Sequence, residues 1–350
     1  MEAPKRLTVA ICPVMTQPQA QRIADADPRI DVLWEADLYA PQRFEGDYQG
    51  DPAWRRGPAR QARYEAMCDS ANTLFDLPDR SASGLKRCVE ANRDLVWLHT
   101  MAAGGGGQVR DAHLSDADLQ RLIITTSAGV HALPLAEFAL YGVLAGAKML
   151  PQMQDFQRRH VWAGRFLMRH ICEMTVVVVG MGHIGRMVAK RFADMGATVI
   201  GINRTMRDVE GVEMHPDDDL IEVATRADAI INCLPGAVGT DNLISADVLA
   251  ATPPGLIVVS LGRGTCVDEE ALIAGLRSGH IAFAALDVVA REPLAADSPL
   301  WDMPNVLISP HIITLSARET DRIIDLFIDN ALALLDGRPL RNLLNKQLFY

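Results

Sequence analysis

The run Thr175-Val-Val-Val-Val179, followed at once by Gly180-Met-Gly182-His-Ile-Gly185, constrains this chain more than any other feature. Four successive β-branched apolar residues suit a strand covered on both faces. Such strands belong to parallel sheets flanked by helices. After the strand, Gly180 permits a tight turn, Gly182 lets a phosphate approach the backbone, and Gly185 lets the next helix pack closely. The helix start then offers free N–H groups to anions. With a strand before it and a helix after it, the spacing predicts a dinucleotide-binding turn that includes His183 and Ile184.

The same alternation runs through most of the chain. LTVAIC (7–12), LFDL (74–77), LVWLH (95–99) and IITT (123–126) precede the glycine turn, and TVIGIN, AIINCLP, LIVVSLG, FAALDVV and NVLIS follow it. This predicts an α/β fold with parallel sheets. A helix is expected over Ala132–Met149, and a surface loop or insertion over the Pro- and Gly-rich residues 41–64. A flap over an active site is the sharper alternative for that loop. At 350 residues, two domains are expected. Forty-four acidic against 34 basic residues argue against a broad nucleic-acid surface. The six cysteines show no zinc-ligand spacing, so a reduced chain without metal is expected. No apolar run spans a bilayer, and a soluble, cytoplasmic protein is expected.

The second strand after Thr175 ends at Asn203, where an NAD site usually carries Asp or Glu for the ribose 2′-hydroxyl. Here the sequence is Asn203-Arg204-Thr205, with Arg207 beyond. No carboxylate repels a 2′-phosphate, and guanidinium and hydroxyl groups can hold one. NADP(H) is therefore the expected cofactor, with NAD(H) as the alternative nucleotide.

Three further clusters follow in order: Ser260-Leu-Gly-Arg263-Gly, Ala285-Leu-Asp287 through Glu292-Pro293, and Ser309-Pro310-His311. Each sits where a strand ends, the ligand-binding edge of such sheets. A hydride arriving at a carbonyl carbon leaves negative charge on oxygen. A fixed guanidinium stabilises that charge, and an imidazolium can deliver a proton near neutral pH.

With GMGHIG, NCLP, SLGRGTCVDEEAL, ALDVVAREPL and SPH together, the chain resembles the D-isomer-specific 2-hydroxyacid dehydrogenase family over roughly residues 123–315. The resemblance implies two Rossmann-like or flavodoxin-like parallel-sheet domains, with a cofactor domain (129–315) inserted into a substrate domain (1–128 plus 316–350). It implies that Arg263 binds and polarises the 2-oxo acid and that His311 is the proton donor. Glu292 would orient His311 and favour its protonated form. Cys233, Leu234 and Pro235 would line the adenosine side, with Leu261 and Gly262 also against the cofactor, and Asp287 would bond the nicotinamide carboxamide. Ala103, Gly104 and Gly105 would grip the substrate carboxylate through backbone N–H groups. His131, before the long helix, is expected to be structural or at an interface.

The resemblance thus implies a reductase of small 2-oxo acids, such as glyoxylate or hydroxypyruvate, acting as a homodimer. Formate dehydrogenases share the fold but replace the Glu of the triad, so Glu292 argues against them. The alternative is a dinucleotide-sensing binding protein like the corepressors of this fold.

Overall fold

The computed structural model describes residues 4–236, 239–347 and 349. They form two compact units, residues 1–130 with 315–350 and residues 131–314.

The first unit holds a five-stranded parallel sheet of β1 (Leu7–Ile11), β2 (Ile30–Leu33), β3 (Thr73–Phe75), β4 (Trp97–Thr100) and β5 (Ile123–Thr126), in the order β2-β1-β3-β4-β5. Side chains alternate across it. Leu7, Val9 and Ile11 pack with the C-terminal helix Glu319–Leu335, while Ala10 and Cys12 face the opposite core. Trp97 stacks on Phe327 of that helix, centroids 4.7 Å apart. The chain end returns to β5, where Leu344 N–H donates to Ile124 O.

The expected 41–64 loop is shorter than the composition implies. Pro58 starts a helix, Pro58–Asp69, because its missing N–H costs nothing in the first turn. The remaining 41–57 segment is an ordered loop. Its Gly50 fits against Ala40 and Val14 with no room for a Cβ.

The second unit holds a seven-stranded parallel sheet: β6 (Thr175–Val179), β7 (Thr198–Ile202), β8 (Glu213–His215), β9 (Ala229–Asn232), β10 (Leu256–Ser260), β11 (Ile281–Leu286) and β12 (Val306–Ile308). Its order is β12-β11-β10-β9-β6-β7-β8. Val176 and Val178 point into one core and Val177 and Val179 into the other, as a strand buried on both faces requires. The chain winds outward from β6 to β8 and then from β9 to β12, so the crevice between β6 and β9 is the switch point.

The long helix ends at Ala147, short of the expected Met149. Met149 is left-handed (φ 54°), and a second helix, Leu150–Arg158, leaves at a 60° bend. Gly142 and Gly146 let the first helix sit on β10 and β11. A Cβ at Gly142 would lie 2.8 Å from that of Ala285. Among the described residues no single helix is long and apolar enough to cross a membrane.

Candidate active site

Because every strand of the second sheet is parallel, the segments after β6, β7, β9, β10, β11 and β12 emerge on one edge. All candidate residues of this unit lie there.

The three glycines after β6 are required for three different reasons. Gly180 has φ +98° and its absent Cβ would press on Cys233. A Cβ on Gly185 would lie 1.9 Å from Gly180 O. A Cβ on Gly182 would meet nothing within 4 Å among the described residues beyond its chain neighbours. Packing within the protein thus accounts for Gly180 and Gly185, whereas Gly182 keeps open space at the start of the helix His183–Asp194, as a pyrophosphate would need. His183 is exposed and Ile184 half-buried on the first turn.

Asn203 ties this region together. Its Oδ1 accepts from Met181 N–H at 3.2 Å, and its Nδ2 donates to Thr205 O at 2.7 Å. Arg204, Thr205 and Arg207 are exposed beyond β7. Burial raises the Asp217 carboxyl, and nearby Arg204 pulls it back down. After β9, Cys233 and Leu234 are buried, and burial pushes the Cys233 thiol up to about 12. It packs there as a neutral group beside Gly180, with Pro235 two residues on.

A close-packed glycine framework fixes Arg263. A Cβ on Gly262 would lie 2.2 Å from Leu234 O, and one on Gly264 would lie 2.0 Å from Val289 backbone. Leu261 is buried. Gly236, at φ +66°, leaves room for the Arg263 stem. Buried Asn232 donates to Arg263 O at 2.9 Å and to Ser260 Oγ at 3.1 Å, and accepts from Leu234 N–H at 3.1 Å. The Arg263 guanidinium is exposed, with Nη1 on Gly262 O at 2.8 Å. Nothing in the sequence assigns Asn232 this role, although it opens the NCLP motif and closes the apolar run AIIN.

His311 Nδ1 is 2.8 Å from Glu292 Oε2, which joins two clusters 19 residues apart. His311 adopts φ +56°, a conformation uncommon outside glycine and kept where geometry serves a site. Asp287 holds that conformation. Its carbonyl accepts from His311 N–H at 3.0 Å, and its Oδ1 accepts from Ile312 N–H at 3.0 Å. Asp287 is 3% exposed and anchors the His311 segment through these bonds. Glu269 Oε2 likewise accepts from Ala290 N–H at 2.9 Å and steadies the segment leading to Glu292.

In the first unit, the turn after β4 carries Ala103, Gly104 and Gly105. Gly105 packs so closely on Thr100 that a Cβ would lie 2.1 Å from its Oγ1. Gly105 N–H is used by Ala102 O. Ala103 and Gly104 make no internal N–H bond among the described residues. No cluster of His, Cys, Asp or Glu suited to a metal occurs among them either.

A family model, "D-isomer specific 2-hydroxyacid dehydrogenase, NAD binding domain", matches residues 140–312. The chain is 38% identical over 279 residues to the D-3-phosphoglycerate dehydrogenase of Mycobacterium leprae, covering 78% of this chain and 51% of that protein. It therefore spans about half the length of that relative. It is 31% identical over 220 residues to glyoxylate/hydroxypyruvate reductase B of Pectobacterium carotovorum subsp. carotovorum, covering 61% of this chain and 68% of that one. A D-isomer specific 2-hydroxyacid dehydrogenase from Xanthobacter autotrophicus Py2, solved with NADPH and MES, matches with TM-score 0.76 and 27% identity over 99% of this chain and 100% of that one.

Proposed function

The chain belongs to the D-isomer specific 2-hydroxyacid dehydrogenase family, and from that premise we propose that it reduces small 2-oxo acids to D-2-hydroxy acids with NADPH. The observation that carries the reading is the 2.8 Å contact between His311 Nδ1 and Glu292 Oε2 on the strand edge that also presents Arg263 and the open Gly182 turn. The second unit is the dinucleotide-binding domain and the first the substrate domain in this reading. Gly180, Gly182 and Gly185 receive the pyrophosphate, and Arg204, Thr205 and Arg207 the 2′-phosphate. The bound nicotinamide supplies hydride to the carbonyl carbon.

The chain's own groups do the rest. With Nδ1–H donated to Glu292, His311 Nε2 is left to face the substrate and gives its proton to the nascent alkoxide. Glu292 stabilises the cationic ring. The Arg263 guanidinium offsets the charge developing on oxygen, where a preorganised donor contributes most. Asp287 and Glu269 are positioning residues, because they act through the backbone of the His311 and Glu292 segments. In the first unit, the Ala103 and Gly104 amides and the Gly105 turn suit a carboxylate.

The test is NADPH oxidation with a panel of 2-oxo acids, glyoxylate and hydroxypyruvate included, on wild type and His311→Ala. Turnover is expected in the wild type. The variant should lose at least ~10²-fold in kcat while NADPH affinity stays nearly intact, since a general acid contributes roughly 10²–10⁴-fold. NADPH binding without turnover of any 2-oxo acid would instead mark a dinucleotide-sensing binding protein.

A further inference from the structure

Four glycines follow one another after β4, Gly104 to Gly107, and their surroundings differ. Gly104 is exposed. Gly105 is pressed against Thr100. Gly106 is buried, and a Cβ there would lie 2.0 Å from the main-chain oxygen of Phe349 and 2.7 Å from Leu344 Cδ1. A Cβ on Gly107 would meet nothing within 4 Å among the described residues outside its own stretch of chain. A carboxylate-binding turn accounts for an open Gly104, and Thr100 accounts for Gly105. Neither accounts for Gly106, whose partners lie far along the sequence.

The segment that carries those partners is fixed at its base. Buried Asn330, in the helix Glu319–Leu335, accepts from Arg341 N–H at 2.8 Å and donates to Arg341 O at 3.1 Å. Asn342 Nδ2 donates to Ala128 O at 2.6 Å and to Thr126 O at 3.2 Å, and its carbonyl accepts from Thr126 N–H at 3.0 Å. Leu343 bridges Thr125 in antiparallel sense, alongside the edge strand β5. Leu344 is buried in the core that Leu98 and Ile124 also fill. Phe349 N–H donates to Asn345 O at 2.7 Å, and the Phe349 side chain packs on the same core. Because β4 and β5 are neighbours, a segment laid along β5 arrives beside the turn that leaves β4.

Consecutive glycines lose more backbone freedom on ordering than any other residues. A turn that holds two amides toward a carboxylate binds best when it is ordered before the ligand arrives. Two clamps order this one. Thr100 closes on Gly105, with its Oγ1 donating to Ala102 O at 3.0 Å. Phe349 and Leu344 close on Gly106. Only glycine at 106 lets the Phe349 carbonyl come so near; a side chain there would push the turn and the segment apart.

We infer that the segment carrying Asn342, Leu344 and Phe349 positions the carboxylate turn, with Leu344 and Phe349 as positioning residues that act through Gly106. This rests on the reading that Ala103 and Gly104 receive the substrate carboxylate. The segment then governs how tightly the 2-oxo acid binds. The proton donor and the nucleotide turn belong to the other unit and do not depend on it.

The experiment uses wild type, a chain ending at Gln347, Gly106→Ala and Gly107→Ala. Oxamate, an isostere of a 2-oxo acid that accepts no hydride, is titrated calorimetrically into each form loaded with NADPH. Kinetics with the best 2-oxo acid of the panel and NADPH affinity are measured alongside. In the shortened chain the oxamate dissociation constant and KM should both rise about tenfold, the equivalent of ordering one residue's backbone on binding. The kcat should stay within about threefold and NADPH affinity should not change, the split expected of lost ground-state binding. Gly106→Ala should show the same split, and Gly107→Ala should match wild type. Melting temperatures read the contact itself. Gly106→Ala should lower that of the unshortened chain and leave that of the shortened chain nearly unchanged, because removing Phe349 makes room for the methyl. Oxamate binding unaltered by the shortening overturns the inference. So does a loss of kcat and NADPH affinity in step with KM, the mark of general destabilisation, or a loss in Gly107→Ala equal to that in Gly106→Ala. Should the shortened chain fail to fold, Gly106→Ala decides by the same split. A wild type that neither turns over a 2-oxo acid nor binds oxamate refutes the reductase reading and this inference with it; turnover with a KM insensitive to the segment refutes this inference alone.

Discussion

Arg204 carries the nucleotide preference of the proposed reaction. Asn203 at the end of β7 is neutral and spends its amide on Met181 and Thr205. It leaves no carboxylate to repel a 2′-phosphate. Arg204 stands exposed beside it, and Asp217 is an acid within its electrostatic reach. Each charged hydrogen bond contributes roughly 1.5–3 kcal/mol, reduced here by solvent. NADPH should therefore be favoured over NADH by about 10- to 100-fold in kcat/KM. Arg204→Ala should erase most of that gap by weakening NADPH alone, and higher ionic strength should narrow it. Paired kinetics with both nucleotides decide the matter; equal efficiency in the wild type would return Arg204 and Arg207 to the role of surface charge. His99 makes the fold sensitive to acid. It is fully buried, with Nδ1 on Thr125 Oγ1 at 2.8 Å and Nε2 on Ser127 Oγ at 3.1 Å, and burial lowers its pKa to about 3. The unfolded chain binds that proton below about pH 6.5, so the unfolded state gains as pH falls from there toward 3. Between pH 6.5 and 5 the loss of stability should reach up to about 2 kcal/mol. His215, raised by its bonds to Glu213 and Asp219, works in the opposite sense. Denaturant titrations at pH 7 and 5 should show a steeper loss in wild type than in His99→Gln; equal slopes would mean that His99 does not contribute.

The glycine turn lends itself to a test in which neighbouring substitutions give opposite results. Gly182→Ala adds a methyl that meets no described residue within 4 Å beyond its chain neighbours, at φ −73°, a value any residue adopts. Its melting temperature should stay near wild type while NADPH binding weakens at least about tenfold. Gly185→Ala meets Gly180 O at 1.9 Å and should destabilise the unit by about 1–3 kcal/mol. Loss of stability in Gly182→Ala, or unchanged affinity, would remove the pyrophosphate from this turn. The contrast also explains what the sequence disclosed. β6, β7, β9, β10 and β11 are central, buried on both faces, and read as apolar runs. β2 and β8 escaped notice because they are edge strands; Asp31, Glu213 and His215 interrupt their apolar character, and pairing on one side suffices. The helix Pro58–Asp69 was hidden by the prolines before it. Within the site, Gly180, Arg263 and His311 announce themselves by spacing from strand ends. Asn232, the anchoring role of Asp287, and Gly106 do not, because their importance comes from partners distant in sequence.

At the scale of the whole molecule, the segment from 150 to 170 presents a problem of energy. The helix Leu150–Arg158 buries none of its residues, Trp162 is 100% exposed, and Leu167 is 94% exposed. Phe156 and Phe166 meet with centroids 6.0 Å apart, which is little apolar contact for an ordered arm. Fixing a residue's backbone costs about 1–2 kcal/mol, so such an arm needs a covering surface. The adjoining helix Ala132–Ala147 offers one: it buries one side on its own sheet and exposes Leu133 and Tyr141. A second copy of the chain is the occupant proposed here, since a two-fold pairing lets each arm cover the other copy's helix with the same contacts made twice. Burying Trp162 and Leu167 contributes roughly 1.5–3 kcal/mol per side chain, counted on both arms. Light scattering at micromolar concentration should give twice the chain mass. The double variant Trp162→Ser, Leu167→Ser should raise the dimer dissociation constant at least about 100-fold with the melting transition of the isolated chain retained. A wild-type monomer, or a double variant that pairs as tightly as wild type, would show that the arm serves some other surface.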